Sequence, residues 1–175
     1  LQVVKNGAYG TAAVTIRGVG GSGISVTSES QAATYIDGAY IPRTQGNFLD
    51  LWDLNRVEVL KGPQGTLFGK NSTVGAVSFF YNKPSFDSQN YKIRVGAGTD
   101  SRNELALMAN LPISDFTALR FSYSQEKQDG YIYNTTRNEF SGALDAETIR
   151  LSGVYKLSED INCLLYTSPS PRDDR

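Results

Sequence analysis

From residue 91 to residue 157, apolar and polar side chains alternate with a period of two, segment after segment. In residues 91–98, Tyr91, Ile93, Val95 and Ala97 share one face, and Lys92, Arg94 and Gly96 the other. In residues 104–111 the apolar set is Leu105, Leu107, Ala109 and Leu111. Residues 116–125 place Thr117, Leu119, Phe121 and Tyr123 opposite Ala118, Arg120 and Ser122. Residues 147–157 repeat the rhythm, with Val154 the exception. Alternation of this kind predicts strands with one apolar and one polar face. The connections alternate too: residues 112–115 are a short turn, 126–146 a long polar stretch and 157–160 short again. Strands of about ten residues joined by short turns at one end and long loops at the other fit an outer-membrane barrel. A soluble antiparallel sheet alternates equally well, so the pattern alone leaves both readings open. Tyr91, Tyr123, Tyr131, Tyr133 and Tyr155 are expected toward strand ends, as an interfacial girdle requires.

Composition removes whole classes of chemistry. The 175 residues contain no His, which excludes a His general base, a Ser-His-Asp triad and His-ligated zinc. The lone Cys163 excludes an internal disulfide. A net charge of −1 leaves no electrostatic footprint for nucleic acid. Carboxylate pairs such as Asp50 and Asp53 read as caps or solvated turns, so no catalytic residue, metal ligand or cofactor is expected. No run of eighteen apolar residues is present to make a transmembrane helix. The chain opens on neither Met nor a secretory signal, and is expected to be a fragment from within a longer protein.

The first part of the chain differs. Of 17 glycines, 12 fall in residues 1–75, between short β-type runs at 1–4, 13–17, 34–36, 56–60 and 76–81. One short helix is expected over residues 47–54, with Asn47 as its cap. Gly18-Val19-Gly20-Gly21-Ser22-Gly23 has the G-x-G-x-x-G spacing of a dinucleotide site, but the serine-rich, β-branched stretch behind it is a poor helix. Residues 65–71 resemble a P-loop one residue short, with Asn71 where the magnesium-binding hydroxyl belongs. They read more simply as a Gly-punctuated connection. At the other end, Leu164-Leu165-Tyr166 starts a fifth strand at most. Residues 163–175 resemble a translated library adapter, and are expected to be a non-native, disordered tail.

Four pieces in order carry a resemblance: Val14-Thr15-Ile16-Arg17-Gly18; Tyr35-Ile36-Asp37-Gly38-Ala39-Tyr40; the block from Leu54-Asn55-Arg56-Val57-Glu58-Val59-Leu60-Lys61-Gly62-Pro63-Gln64-Gly65 to Gly69; and Val74-Gly75-Ala76-Val77 through Asn82-Lys83-Pro84. Together they resemble the plug domain of TonB-dependent outer-membrane receptors. Asn110-Leu111-Pro112-Ile113-Ser114-Asp115 and Asp129-Gly130-Tyr131 resemble the family's first barrel hairpins. Val74 and Ser78-Phe79 depart from the family's usual Gly and Asn-Ile.

The resemblance implies a mainly β chain. A small α+β plug, 1–84, is followed over 85–162 by the first four to five antiparallel strands of a truncated transmembrane β-barrel. It implies a bacterial outer-membrane location and a non-enzymatic function: active uptake of a scarce ligand, most often a ferric siderophore, with glycans, cobalamin and haem as alternatives. The partners implied are TonB with its proton-driven inner-membrane complex, and outer-membrane lipid. By position, Arg17, Arg56 and Glu58 are expected to meet charges on the inner barrel wall. Gly21, Ser22, Gly23, Arg43, Gln45, Asn47 and Phe48 are expected at the ligand-facing apex, where they offer a cation, amides and a ring. A passive porin-like barrel, and a nucleotide site at 18–23, are the competing readings.

Overall fold

A computed structural model describes residues 2–6, 11–19, 31–42, 51–158 and 161–167. The chain divides into two compact units, Leu1–Tyr81 and Asn82–Arg175, so the division falls at Tyr81 where Pro84 was expected.

In the first unit β1 (Gln2–Asn6) pairs antiparallel with β2 (Thr11–Thr15). A four-stranded sheet has the order β4-β3-β6-β5, built from β3 (Ala32–Ile36), β4 (Ala39–Ile41), β5 (Leu54–Lys61) and β6 (Gly75–Tyr81). Its central pair, β3 and β6, is parallel, and the flanking pairs are antiparallel. The central strands are buried almost continuously, as central strands covered on both faces are. Ile16, Ala32, Val77 and Phe79 form the core, with Leu54, Val59 and Val74 packed against it.

The motif residues have direct backbone reasons. Arg17 and Gly18 both have positive φ, and Ile16 and Val19 exchange hydrogen bonds across them at 2.9 and 3.1 Å. Asp37 and Gly38, also at positive φ, join β3 to β4. Both are two-residue hairpin turns of the kind that demands such conformations. At Gly75, with φ 145°, a Cβ would lie 2.1 Å from the Leu60 carbonyl oxygen and 2.8 Å from Ile16 Cδ1. No side chain fits there.

The helix expected over 47–54 is not formed in its described part. Residues 47–50 lie outside the described residues, Leu51 has no regular structure, Trp52-Asp53 is turn, and Leu54 already belongs to β5. Asp53 has φ 62°, which interrupts any helix, and pairing of β5 along β6 takes the rest. The helical turn that does form is α1 (Gly65–Phe68), in the stretch read as a connection. It is held from outside: Tyr35 Oη donates to the Phe68 carbonyl at 2.6 Å, with the two rings edge-on at 5.2 Å. Burial, and then Tyr40 beside it, raises the Tyr35 phenol above its ordinary pKa, so the hydroxyl stays a donor. Asn71 Nδ2 donates to Tyr40 Oη at 2.8 Å, and Ser72 Oγ to the Gly69 carbonyl at 2.7 Å.

The second unit is one antiparallel meander of order β13-β12-β9-β8-β7. Its strands are β7 (Asn90–Ala97), β8 (Asn103–Ser114), β9 (Thr117–Gln128), β12 (Leu144–Lys156) and β13 (Asn162–Tyr166). The four alternating segments are its first four strands. β8 runs through Pro112 with a register shift before Ser114, so the expected four-residue turn shrinks to Asp115-Phe116. The long connection shortens to 129–143 and carries its own hairpin, β10 (Ile132–Asn134) with β11 (Glu139–Ser141). It shares an end of the sheet with the 98–102 connection, to which Asp129 N–H is bonded through the Asp100 carbonyl at 2.9 Å. Tyr91 and Tyr155 lie near strand ends as expected. Tyr123 is in mid-strand, and Tyr131 and Tyr133 belong to the long connection rather than to a strand of the meander.

A disordered tail beginning at Cys163 does not match the structure. Cys163 pairs with Tyr155, Leu164 with Val154 and Leu165 with Gly153, because β12 offers an open edge. Residues 168–175 lie outside the described residues.

Candidate functional site

Seven of the expected ligand-facing residues, Gly21, Ser22, Gly23, Arg43, Gln45, Asn47 and Phe48, lie outside the described residues. The three charged plug positions do not form one group. Arg17 sits exposed on its hairpin turn. Arg56 and Glu58 lie two apart on β5, so they share a face, and they pair with each other, Nε to Oε1, at 2.6 Å. The Arg56 guanidinium also stacks over the Phe80 ring, 3.9 Å from its centroid. Both side chains are about half exposed, so the pair contributes little stability. Gly18, first glycine of the G-x-G-x-x-G run, occupies a hairpin turn between Ile16 and Val19. The dinucleotide fingerprint instead needs its first glycine on a strand-to-helix turn.

The second unit decides what surrounds it. Its register puts Ala106, Met108 and Asn110 of β8 on one face with Ala118, Arg120 and Ser122 of β9 and Arg150 and Ser152 of β12. All eight are buried, Arg120 and Arg150 at 9% and 7% exposure. The opposite face carries Ile93, Val95, Phe121, Ile149, Leu151 and Leu165, all exposed, Ile93 and Val95 at 72% and 76%. In β8, β9 and β12 the sheet is therefore inverted with respect to water: its polar face is covered and its apolar face is bare. A soluble sheet buries the apolar face. A barrel wall in lipid presents it outward and keeps a polar interior.

The polar face is cross-linked. Arg120 Nη1 reaches Asn110 Oδ1 at 3.5 Å, and Ser152 Oγ donates to the Arg120 carbonyl at 3.4 Å. Toward the long-loop end, Arg94 pairs with Glu104 at 3.4 Å and Arg102 with Glu126 at 2.7 Å. Glu104 and Glu126 stand directly opposite each other, and the two arginines offset that repulsion. Among the described residues no group of three potential metal ligands occurs. The motif reading overlooked Asn110 and the two buried arginines. Their signal was present: they are large polar groups on the polar side of otherwise regular strands.

Residues 1–76 match the family model of the TonB-dependent receptor plug domain. The first unit therefore carries a TonB-dependent receptor plug domain. It is 24% identical over 158 residues to a vitamin B12 transporter of Vibrio vulnificus, covering 77% of this chain and 25% of that protein. It is 30% identical over 118 residues to a pesticin receptor of Yersinia enterocolitica, covering 66% of this chain and 16% of that one. Among solved structures, the ferric yersiniabactin uptake receptor of Yersinia pestis superposes with a TM-score of 0.74 at 22% identity, over 87% of this chain and 24% of the other. The chain thus spans a quarter or less of the length of these relatives. The protein resides in the bacterial outer membrane. Its first unit is the plug and its second matches the opening strands of the barrel wall.

Proposed function

We propose that the complete receptor imports a scarce ligand through the barrel, driven by TonB and its inner-membrane complex. The observation that carries this reading is the inverted sheet that directly follows the plug motifs. A wall with a polar interior needs a stopper that can rearrange, and the first unit is small and turn-rich. The ligand class proposed first is a ferric siderophore. The relatives named above include receptors for a cobalamin and for a ferric chelate, and glycans and haem are the remaining alternatives.

Within this reading Gly21, Ser22, Gly23, Arg43, Gln45, Asn47 and Phe48 face the ligand, and Arg43 meets the negative charge of a ferric chelate. Arg17, Arg56 and Glu58 face charges on the wall, with the Arg56–Glu58 pair acting as one neutral element.

The test is accumulation of radiolabelled iron from ferric catecholates and hydroxamates, beside labelled cobalamin and haem, in cells expressing the complete receptor with and without TonB. Uptake of one probe that requires TonB is expected, reduced severalfold by Arg43→Ala when the probe is anionic. Equal uptake in cells lacking TonB would leave a passive barrel.

A further inference from the structure

Residues 82–89 join the last plug strand to the first wall strand, and they form no strand of their own. One side chain replaces the missing pairing. Asn110, only 2% exposed on the polar face of β8, accepts from Ser85 N–H at 2.9 Å through Oδ1. Its Nδ2 donates to the Ser85 carbonyl at 3.0 Å and to the Ser88 carbonyl at 2.9 Å. With Arg120 Nη1 on the same Oδ1, the two donors and two acceptor sites of the amide are all in use. The Asn110 amide therefore treats Ser85 as a neighbouring peptide group would. The segment is fastened again one residue on: Lys156 Nζ of β12 lies 4.3 Å from the centroid of the Phe86 ring. Ser85 Oγ and Asp87 close the turn between, at 2.6 and 3.1 Å. β8 and β12 are separated by β9 in the sheet, so residues 85–88 are a strap tied at two strands.

We infer that this strap is a force stop, with Asn110 as its catch. The inference rests on the reading that the plug is pulled in transport. Tension carried along the chain from the plug enters the wall through Asn82-Lys83-Pro84. Without the strap it would act on Asn90, where β7 begins opposite Asn110, and would open the β7–β8 ladder one pair at a time. With the strap it acts on residues 85–88, where three hydrogen bonds to one buried amide are loaded together. The plug is then free to unravel while the wall stays closed. On this account Asn110 is a positioning residue.

The test is force spectroscopy on the complete receptor, reconstituted in liposomes and pulled from the N-terminal side of the plug. In the parent protein the released length should end at Ser85. In Asn110→Ala it should run on through β7, lengthening the final extension by roughly 40 Å, the reach of residues 86–97. If Asn110→Ala fails to assemble, Ser85→Pro removes the Ser85 donor without touching the wall, and is read in the same way. An identical end point in parent and variant overturns the inference, as does a parent release that runs past Ser85. The pulling result does not depend on TonB. TonB-independent uptake in cells would therefore sink the transport reading while leaving the strap intact.

Discussion

The two units use similar strand chemistry and bury opposite things. In the plug sheet, Val77 and Phe79 sit in a core with Ile16 and Ala32, and the charged Arg56–Glu58 pair is left outside. In the wall sheet, Arg120, Arg150 and Asn110 are covered, and Leu151, Ile149 and Phe121 are outside. The plug obeys the rule for a domain in water. The wall sheet reverses it, as a wall in lipid would, where hydrocarbon makes apolar exposure favourable and polar exposure costly. Opposite responses to the same kind of substitution follow.

The largest effect is expected where backbone geometry leaves no choice. Gly75→Ala places a methyl group against the Leu60 carbonyl and should cost several kcal/mol. Protease resistance of the plug in the complete receptor should disappear, with the barrel still present in outer membranes. Next comes the outward face. Leu151→Arg should destabilise the wall by about 2–4 kcal/mol if that position lies near the bilayer midplane, read as loss of the heat-modifiable barrel band. The same change at an exposed plug residue such as Leu67 should do almost nothing. Tyr35→Phe removes the hydrogen bond that holds α1 and should cost about 1 kcal/mol, detected as faster proteolysis at Lys70. The smallest effect is expected at the exposed ion pair. Arg56→Ala and Glu58→Ala should each change plug stability by less than about 1 kcal/mol, measured by denaturant titration.

The sequence carried the strands well and their orientation not at all. Period-two alternation places residues 91–157 on strands because successive side chains must point to opposite faces. The same alternation is silent on which face meets water. Leu119 and Arg120 alternate identically in a soluble sandwich and in a barrel wall, so only the burial of Arg120 beside exposed Leu119 separates the two. The turns at Arg17-Gly18 and Asp37-Gly38 were legible as motifs because positive φ restricts the residue choice there. The helix expected over 47–54 fails at its described end, 51–54, because local caps and apolar spacing are weak against a strand partner, and β6 takes Leu54 into β5. The turn α1 was missed for the converse reason. Its stability comes from the Tyr35 hydroxyl, 33 residues away in sequence, which no local pattern reports. β13 depends in the same way on an edge supplied by β12.

The inversion of the wall sheet is tested most directly by single nitroxide labels placed one at a time at residues 118–123, in a Cys163→Ser background of the complete receptor in lipid. Collisions with molecular oxygen, which concentrates in hydrocarbon, should peak at Leu119, Phe121 and Tyr123 and fall at Ala118, Arg120 and Ser122. Peaks at the even positions, or equal values along the strand, would contradict a wall with its apolar face in lipid.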